Sequence, residues 1–267
     1  MAAETILTAV IALALGTAIG SFLNVVIHRV PLGESIVTPG SHCPRCGKGI
    51  RWYDNVPVLG WLWLGGRCRD CRAPISARYP LVELLTGLLA AALALRLGFG
   101  IQMLGAFWFA ASLLALTYID LDHQLLPDRI TLPGIAVGLA IAALAPGVDR
   151  WTSIASSLLG ILVGGGILWL VAWAYYLATG REGMGGGDVK LLAMIGAFLG
   201  WQGVLLTLLL ASLIGSAAGL AIMVRRRADA KLAIPFGPFL ALGALVALFW
   251  GERIVRWYIS SLGLSTI

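Results

Sequence analysis

The chain has 267 residues, of which 59% are hydrophobic and only 12% are charged. A soluble domain carries about twice that charged fraction, so the composition excludes an ordinary soluble enzyme and predicts an all-α polytopic membrane protein. The net charge of +6 would suit a nucleic acid partner, but the placement of the basic residues explains that charge without one.

The first apolar run, Thr5 to Ile27, contains no charged residue and is long enough for one membrane crossing of about 20 residues. A cleaved signal peptide is the alternative, but no basic segment precedes the run and the run is too long. We therefore predict a retained transmembrane helix within residues 1–27. Its Gly16, Gly20 and Ser21 are available for close packing against another helix.

Residues 28–79 are rich in Arg, Pro, Gly and Cys, and no apolar run there reaches spanning length. They predict a small extramembrane module, followed by a transmembrane domain over residues 80–254 and a C-terminal tail over 255–267. The sequence from Gly200 to Gly203 predicts a turn between two helices. With the first helix, the apolar runs predict about eight membrane helices, the others lying near 80–97, 100–119, 130–147, 152–178, 188–199, 202–224 and 234–250.

The Lys and Arg residues are distributed unequally between the two sides of the membrane. If the amino terminus is outside, all but four of the 19 basic residues fall on inside segments, which are 28–79, 120–130, 179–190 and 225–233. Basic loops favour the cytoplasmic side. We therefore expect a multi-pass protein with its amino terminus outside and with lipid, not nucleic acid, around it.

The four cysteines form two CxxC pairs in the predicted module. The pairs are separated by 21 residues, one more than the usual spacing for paired zinc knuckles, and comprise Cys43, Cys46, Cys68 and Cys71. Four thiolates close the tetrahedral shell of Zn²⁺, so we expect a structural zinc site. Two disulfides or a redox pair are the alternative, but structural disulfides are rare in the cytoplasm.

One carboxylate, Asp188, follows three glycines among the membrane helices, in the stretch Gly183-Met-Gly-Gly-Gly-Asp-Val-Lys190. A charge at the edge of hydrocarbon is costly and is usually functional. Because Gly185, Gly186 and Gly187 have no side chains, another backbone or a substrate chain can approach closely.

A second acidic segment ends the third predicted membrane helix and contains Asp120, Asp122, His123 and Asp128. Asp120 directly follows the apolar run, whereas Asp122 is about 200° further round a helix and should face away. Asp128 follows a proline and is typical of the N-cap of the next helix. His123 has no matching partner for a metal site and is more typical of an interfacial polar residue.

The predicted topology places Asp120 and Asp188 on the same, cytoplasmic face. Two carboxylates that share one proton can act as base towards water and as acid towards a carbonyl, which is aspartyl protease chemistry. A transporter or proton-coupled channel with these acids as relay groups is an alternative. So is a zinc-stabilised scaffold of a secretion apparatus, although it leaves both acidic motifs unexplained.

Over nearly its whole length the sequence resembles the type IV prepilin peptidases, a family of GxGD intramembrane aspartyl proteases. The cysteine module and the first acidic motif distinguish it from presenilin-like and signal-peptide-peptidase-like GxGD enzymes. Besides the cysteines, the stretches that carry the resemblance are Gly20-Ser-Phe-Leu-Asn-Val25, Arg29-Val-Pro31, Asp54-Asn-Val-Pro57, Arg78-Tyr-Pro-Leu-Val-Glu83, Ile119-Asp-Leu with Leu-Pro-Asp128, and Glu182-Gly-Met-Gly-Gly-Gly-Asp-Val-Lys190.

The resemblance implies a bifunctional enzyme of the bacterial cytoplasmic (inner) membrane, with Asp120 and Asp188 as the catalytic aspartates facing the cytoplasm. Such an enzyme cuts the basic leader from prepilins and pseudopilins of pilus or type II secretion systems. It then methylates the new terminal amine with S-adenosylmethionine. The position of the methyl-transfer site is left open: Glu83 is a candidate for holding the amine, and the alternative is that Glu83 is an interfacial charge paired with Arg78.

Overall fold

The computed structural model describes residues 2–144, 149–181, 185–226 and 235–261. Across these ranges the protein is all-α, as predicted, and it forms no β-strand there beyond the isolated bridges His42–Gly49 and Arg67–Pro74. The first part of the glycine motif, Glu182 to Met184, lies outside the described residues, as does the end of the predicted tail at 262–267.

In chain order, the described helices are α1 Ala2–Arg29, a 3-10 helix Trp52–Asn55, α2 Leu59–Trp63, α3 Arg78–Leu97, α4 Ile101–His123, α5 Asp128–Leu144, α6 Arg150–Thr179, α7 Gly186–Arg226 and α8 Gly237–Ser261.

Six helices of the described ranges, α1, α3, α4, α6, α7 and α8, are long and apolar enough to cross a membrane. The difference from the predicted eight has two causes. Helix α5 has 17 residues, fewer than the usual span of about 20. Helix α7 combines two predicted helices, and its backbone breaks at Gly200 (φ 67°, ψ −179°), where the sequence predicts a turn.

Large apolar side chains cover the outside of these helices. On α6, for instance, Leu162 is 71% exposed and Trp169 is 56% exposed. Such surfaces suit lipid chains and not water. The chain is therefore a multi-pass membrane protein.

The chain divides into two compact units, Met1–Ala115 and Leu116–Ile267, with the boundary inside α4. In the first unit, α1 packs on α3 through glycines. A Cβ on Gly16 would lie 2.6 Å from the Cβ of Ala90, and a Cβ on Gly20 would lie 2.6 Å from the Cα of Glu83. The predicted close packing of α1 through these two glycines is thus confirmed.

In the second unit, α6 and α7 also touch backbone to backbone. Gly160 and Gly196 face each other so closely that neither has room for a Cβ. The Ser157 hydroxyl donates a hydrogen bond of 2.8 Å to the carbonyl of Ala197 beside this contact. This packing fixes the amino-terminal half of α7, which carries Asp188.

The last helix is longer than its apolar run predicts. Helix α8 continues to Ser261, past the predicted end at residue 250 and into the predicted tail. Polar residues such as Glu252 and Arg256 interrupt the apolar run, yet they form an i,i+4 ion pair that suits an exposed helical face.

Candidate active site

Asp120 lies in the last turn of α4 and is only 5% exposed. Its Oδ2 accepts a hydrogen bond of 3.0 Å from the backbone N–H of Gly237, the first residue of α8. Asp122, two residues later, is exposed, as is His123. The predicted orientation of the two aspartates is therefore confirmed, with Asp120 inside and Asp122 outside.

Asp188 is in the first turn of α7 and is half-buried. A carboxylate suits this position because the amino end of a helix carries a partial positive charge. Its carboxyl group lies close enough to Asp120 for the two charges to interact. The structure thus brings together the two acids that the sequence singles out, from the end of α4 and the start of α7.

The three glycines before Asp188 differ in their surroundings. A Cβ on Gly187 would lie 3.0 Å from the Cβ of Leu126, in the connection between α4 and α5, so Gly187 permits a close approach. Among the described residues, apart from the immediate chain neighbours and the backbone of the same helix, no atom lies within 4 Å of the Cβ position of Gly185 or Gly186. These two leave open space beside Asp188.

Gly237 belongs to this site, although it is not among the residues predicted from the sequence. A Cβ at this position would lie 2.5 Å from Oδ2 of Asp120 and 3.3 Å from Cδ2 of Leu126. Its contribution is a backbone N–H, which has no side-chain signature. The flanking Pro235 and Pro238 signal the start of a helix, and that is the one clue in the sequence.

Asp128 is the first residue of α5, one position past a cap. Its two carboxylate oxygens accept hydrogen bonds from Nζ of Lys190 over 2.7 and 2.8 Å. The prediction that Asp128 is the N-cap of this helix is therefore wrong. Its carboxylate instead forms an ion pair with Lys190, which is 62 residues away in the sequence. His123 joins no cluster of metal-binding side chains in the described part of the chain.

In the first unit, the four cysteines come together as predicted. All four sulfur atoms lie within 4.8 Å of one another, and none is in a disulfide. The Sγ atoms of Cys43 and Cys71 are 3.8 Å apart. Tetrahedral zinc with Zn–S bonds of about 2.3 Å requires about 3.8 Å between sulfurs, so the donor set fits such an ion.

The two cysteine hairpins share one backbone geometry. In the first, the N–H of Gly47 donates to the carbonyl of Cys43, and in the second the N–H of Arg72 donates to that of Cys68. Gly47 and Arg72 both have positive φ, at 72° and 60°. Arg72 thus occupies a conformation that favours glycine.

The thiols differ in their electrostatic surroundings. Backbone N–H groups of Cys46 and Arg45 lower the pKa of Cys43 to about 6. Although the N–H of Ala73 lowers the pKa of Cys71, burial and the neighbouring thiols raise it to about 11. A cation bound among the sulfurs would favour the thiolate form of Cys71.

An ion pair joins the second hairpin to the 3-10 helix. Nε and Nη2 of Arg69 donate to the two oxygens of Asp54 over 2.8 and 2.6 Å. This bidentate hydrogen bonding holds the pKa of Asp54 below its usual range. A second pair, Lys48 with Asp70 at 3.0 Å, connects the two hairpins.

Glu83, on α3, is buried and binds the backbone of the module at Val58. Its Oε2 accepts a hydrogen bond of 2.7 Å from the N–H of Val58, and the Ser21 hydroxyl of α1 lies beside the carboxylate. Val58 has φ 61° and ψ −53°, which is strained for a β-branched residue. Such strain is frequent at functional sites.

Two family models match this chain. The bacterial peptidase A24 N-terminal domain matches residues 14–97, and the type IV leader peptidase family matches residues 106–220. The first match contains the four cysteines and Glu83, whereas the second contains Asp120 and Asp188. No solved structure matches the chain.

Several relatives are similar over most of their length, and each is called a prepilin leader peptidase/N-methyltransferase. The Aeromonas hydrophila protein is 45% identical, with 91% of each chain covered. The Pseudomonas aeruginosa protein is 43% identical, over 93% of this chain and 92% of its own. A Burkholderia pseudomallei protein is 41% identical, over 90% and 84%.

Proposed function

Because the chain belongs to the type IV leader peptidase family, we propose that it is a membrane aspartyl endopeptidase that removes the basic leader from type IV prepilins and pseudopilins. The placement of Asp120 and Asp188 around Leu126 is the observation that carries this proposal, because Leu126 contacts both Gly187, next to Asp188, and Gly237, which binds Asp120. Membership of this family favours a peptidase over a transporter. A relay pair would also be expected near mid-membrane, whereas these acids lie at helix ends.

In the proposed reaction the two carboxyl groups share one proton. The ionised group takes a proton from water, which attacks the scissile carbonyl, while the protonated group donates to the carbonyl oxygen. Collapse of the tetrahedral intermediate breaks the C–N bond and transfers a proton to the leaving amine. The hydrogen bond from Gly237 supports the role of Asp120 because it fixes one oxygen and leaves the other for water.

The substrate backbone would lie beside Gly185 and Gly186. Both are exposed and have open space at their Cβ positions, so an extended chain can approach Asp188 there. A prepilin helix in the lipid would enter from the side and present its cut site at the membrane surface. Gly187 instead serves the internal contact with Leu126.

Cleavage is tested with the purified full chain in liposomes and a prepilin substrate. We expect mass spectrometry to show loss of the leader. The mature product with S-adenosylmethionine present should also gain the mass of one methyl group. An intact prepilin would refute the proposed peptidase, and an unmethylated product would restrict the activity to proteolysis.

We assign S-adenosylmethionine as the methyl donor, and we propose that Glu83 holds the new amine. Its burial beside the strained Val58 supports this role. Glu83→Gln should then cleave normally and leave the product unmethylated. Equal loss of cleavage and methylation would instead mean that Glu83 only anchors the module.

We propose structural zinc at Cys43, Cys46, Cys68 and Cys71. Zinc would close the shell with four thiolates and leave no position for substrate, so it would support the fold of the module. Elemental analysis should find about one zinc ion per chain. Cys43→Ser should lose the metal and expose residues 28–79 to protease, whereas metal-free wild type would contradict the assignment.

The proposal also includes the orientation of the chain in the membrane and the boundaries of its domains. The bias of basic residues supports an amino terminus outside the bacterial inner membrane and aspartates that face the cytoplasm. The proposed divisions are the first helix, 1–27; the zinc module, 28–79; the protease domain, 80–254; and the tail, 255–267. Cysteine labelling from either side of the membrane tests the orientation.

A further inference from the structure

The ion pair between Asp128 and Lys190 joins the two segments that carry the aspartates. Lys190 follows Asp188 by two residues, in the first turns of α7. Asp128 begins α5, directly after the short connection that leaves α4 beyond Asp120. Both oxygens of Asp128 bind Nζ of Lys190, which makes the link bidentate.

An apolar contact lies next to this ion pair. Leu126, two residues before Asp128, packs against Gly187 and against Gly237, which holds Asp120. The segment from Leu126 to Asp128 is thus attached to α7 twice, by the packing of Leu126 on Gly187 and by the ion pair of Asp128 with Lys190. A change at either attachment would shift Asp188 relative to Asp120.

The exposure of the pair argues against a mainly stabilising role. The side chains of Lys190 and Asp128 are 40% and 54% exposed. Exposed ion pairs add little to the free energy of unfolding because water and salt screen them. Catalysis is more sensitive to position, since a displacement of about 1 Å can cost about 100-fold in rate.

We infer that Asp128 and Lys190 are a positioning pair that sets the separation and orientation of the two catalytic carboxyl groups. The inference rests on the proposed peptidase function and adds two residues to it. Neither residue needs to touch the substrate. Their effect should therefore fall on kcat and not on KM.

The test measures kcat, KM and the thermal midpoint of the purified full chain in liposomes with a prepilin substrate. Lys190→Met and Asp128→Asn should each lower kcat about 10-fold or more, with KM within about 2-fold and an unchanged midpoint. The double variant should lose no more than the worse single variant, because partners in one contact are not additive. Lys190→Arg should keep most of kcat, since it can still bind both oxygens.

A matched control is Glu252→Gln, which breaks the exposed Arg256–Glu252 pair of α8, away from the aspartates. It should leave kcat and KM unchanged. The inference is overturned if Lys190→Met keeps the wild-type kcat, if its loss is confined to KM, or if the single losses add in the double variant. Asp188→Asn distinguishes failure of the proposed peptidase function from failure of the positioning pair. If Asp188→Asn still cleaves, both are wrong. If Asp188→Asn is inactive but Lys190→Met is fully active, only the positioning role of Asp128 and Lys190 is wrong.

Discussion

The backbone N–H of Gly237 donates a 3.0 Å hydrogen bond to Oδ2 of Asp120, so the start of α8 holds the carboxyl group at the end of α4. The contact leaves no room for a side chain, because a Cβ on Gly237 would lie 2.5 Å from that oxygen. Glycine at this position is therefore a requirement of the site and not of the helix.

Gly237→Ala should impair cleavage without unfolding the protein. The added methyl must displace the carboxyl group of Asp120, and such a shift should lower kcat about 10- to 100-fold. Alanine is otherwise a better helix former than glycine, so the thermal midpoint should not fall. The measurement is steady-state cleavage of a prepilin, together with thermal unfolding.

Gly251→Ala is the control for this change. It lies on the same helix, and its Cβ would meet Leu206 and Ala247 at the ordinary distances of 3.7 and 3.8 Å. It should cleave like the wild type. Full activity in Gly237→Ala would show that the contact with Asp120 does not position the carboxyl group for catalysis.

The pairing of the acids was predictable because each stands out against an apolar background. Asp120 and Asp188 each adjoin long apolar runs, and the charge bias assigns both to one face. Gly237 was not predictable, since it contributes a backbone group from a distant segment. The Asp128–Lys190 pair was not predictable for a related reason. An aspartate after a proline is also typical of a helix N-cap, and the sequence does not show that Asp128 instead meets a lysine from a distant segment.

The helix pattern was predicted well where apolar runs are continuous and less well where they end. The turn at Gly200 follows from local sequence, and the structure places the backbone break there. The extension of α8 to Ser261 follows from helical pairing of polar side chains, which hydrophobicity does not reveal. The cluster of four cysteines could be predicted from their spacing alone, because two CxxC pairs at this separation are typical of paired zinc-binding hairpins.

Arg72→Gly should stabilise the cysteine module. Arg72 has φ 60° at the position that Gly47 occupies in the other hairpin. Glycine removes this strain but also loosens the unfolded chain, which leaves a gain of about 0.5–1 kcal/mol. The gain should appear as slower chymotryptic cleavage within residues 28–79.

Arg45→Gly makes the same chemical change in the first hairpin, where the residue is not among those with positive φ. It should speed that cleavage, because glycine there only adds freedom to the unfolded chain. If both variants were cleaved faster than wild type, the proposed relief of strain at Arg72 would be incorrect.

The Asp54–Arg69 pair should make the stability of the module depend on pH. Its hydrogen bonds lower the pKa of Asp54 in the folded state, so the unfolded state binds the proton more readily. The stabilisation is complete above the unfolded pKa of about 3.9 and is lost as pH falls through the lower folded value. Asp54→Asn should therefore be less stable than wild type at neutral pH, and the difference should shrink below about pH 4.

Protease protection of residues 28–79, measured for both proteins across this pH range, checks the expectation. Asp70→Asn serves as the comparison, because it breaks the more exposed pair with Lys48 and should have the smaller effect. A difference between wild type and Asp54→Asn that stays constant down to about pH 2 would contradict the assigned ion pair.

Cleavage of a prepilin by Asp120→Asn, Asp188→Asn and Asp122→Asn, each in liposomes and at equal protein content, tests the central claim most directly. Asn preserves the size of the side chain but can neither accept the proton from water nor donate one to the carbonyl. We predict that the first two variants lose cleavage and that the exposed Asp122→Asn retains most of it. Full cleavage by Asp188→Asn, or loss of cleavage in Asp122→Asn alone, would contradict the account.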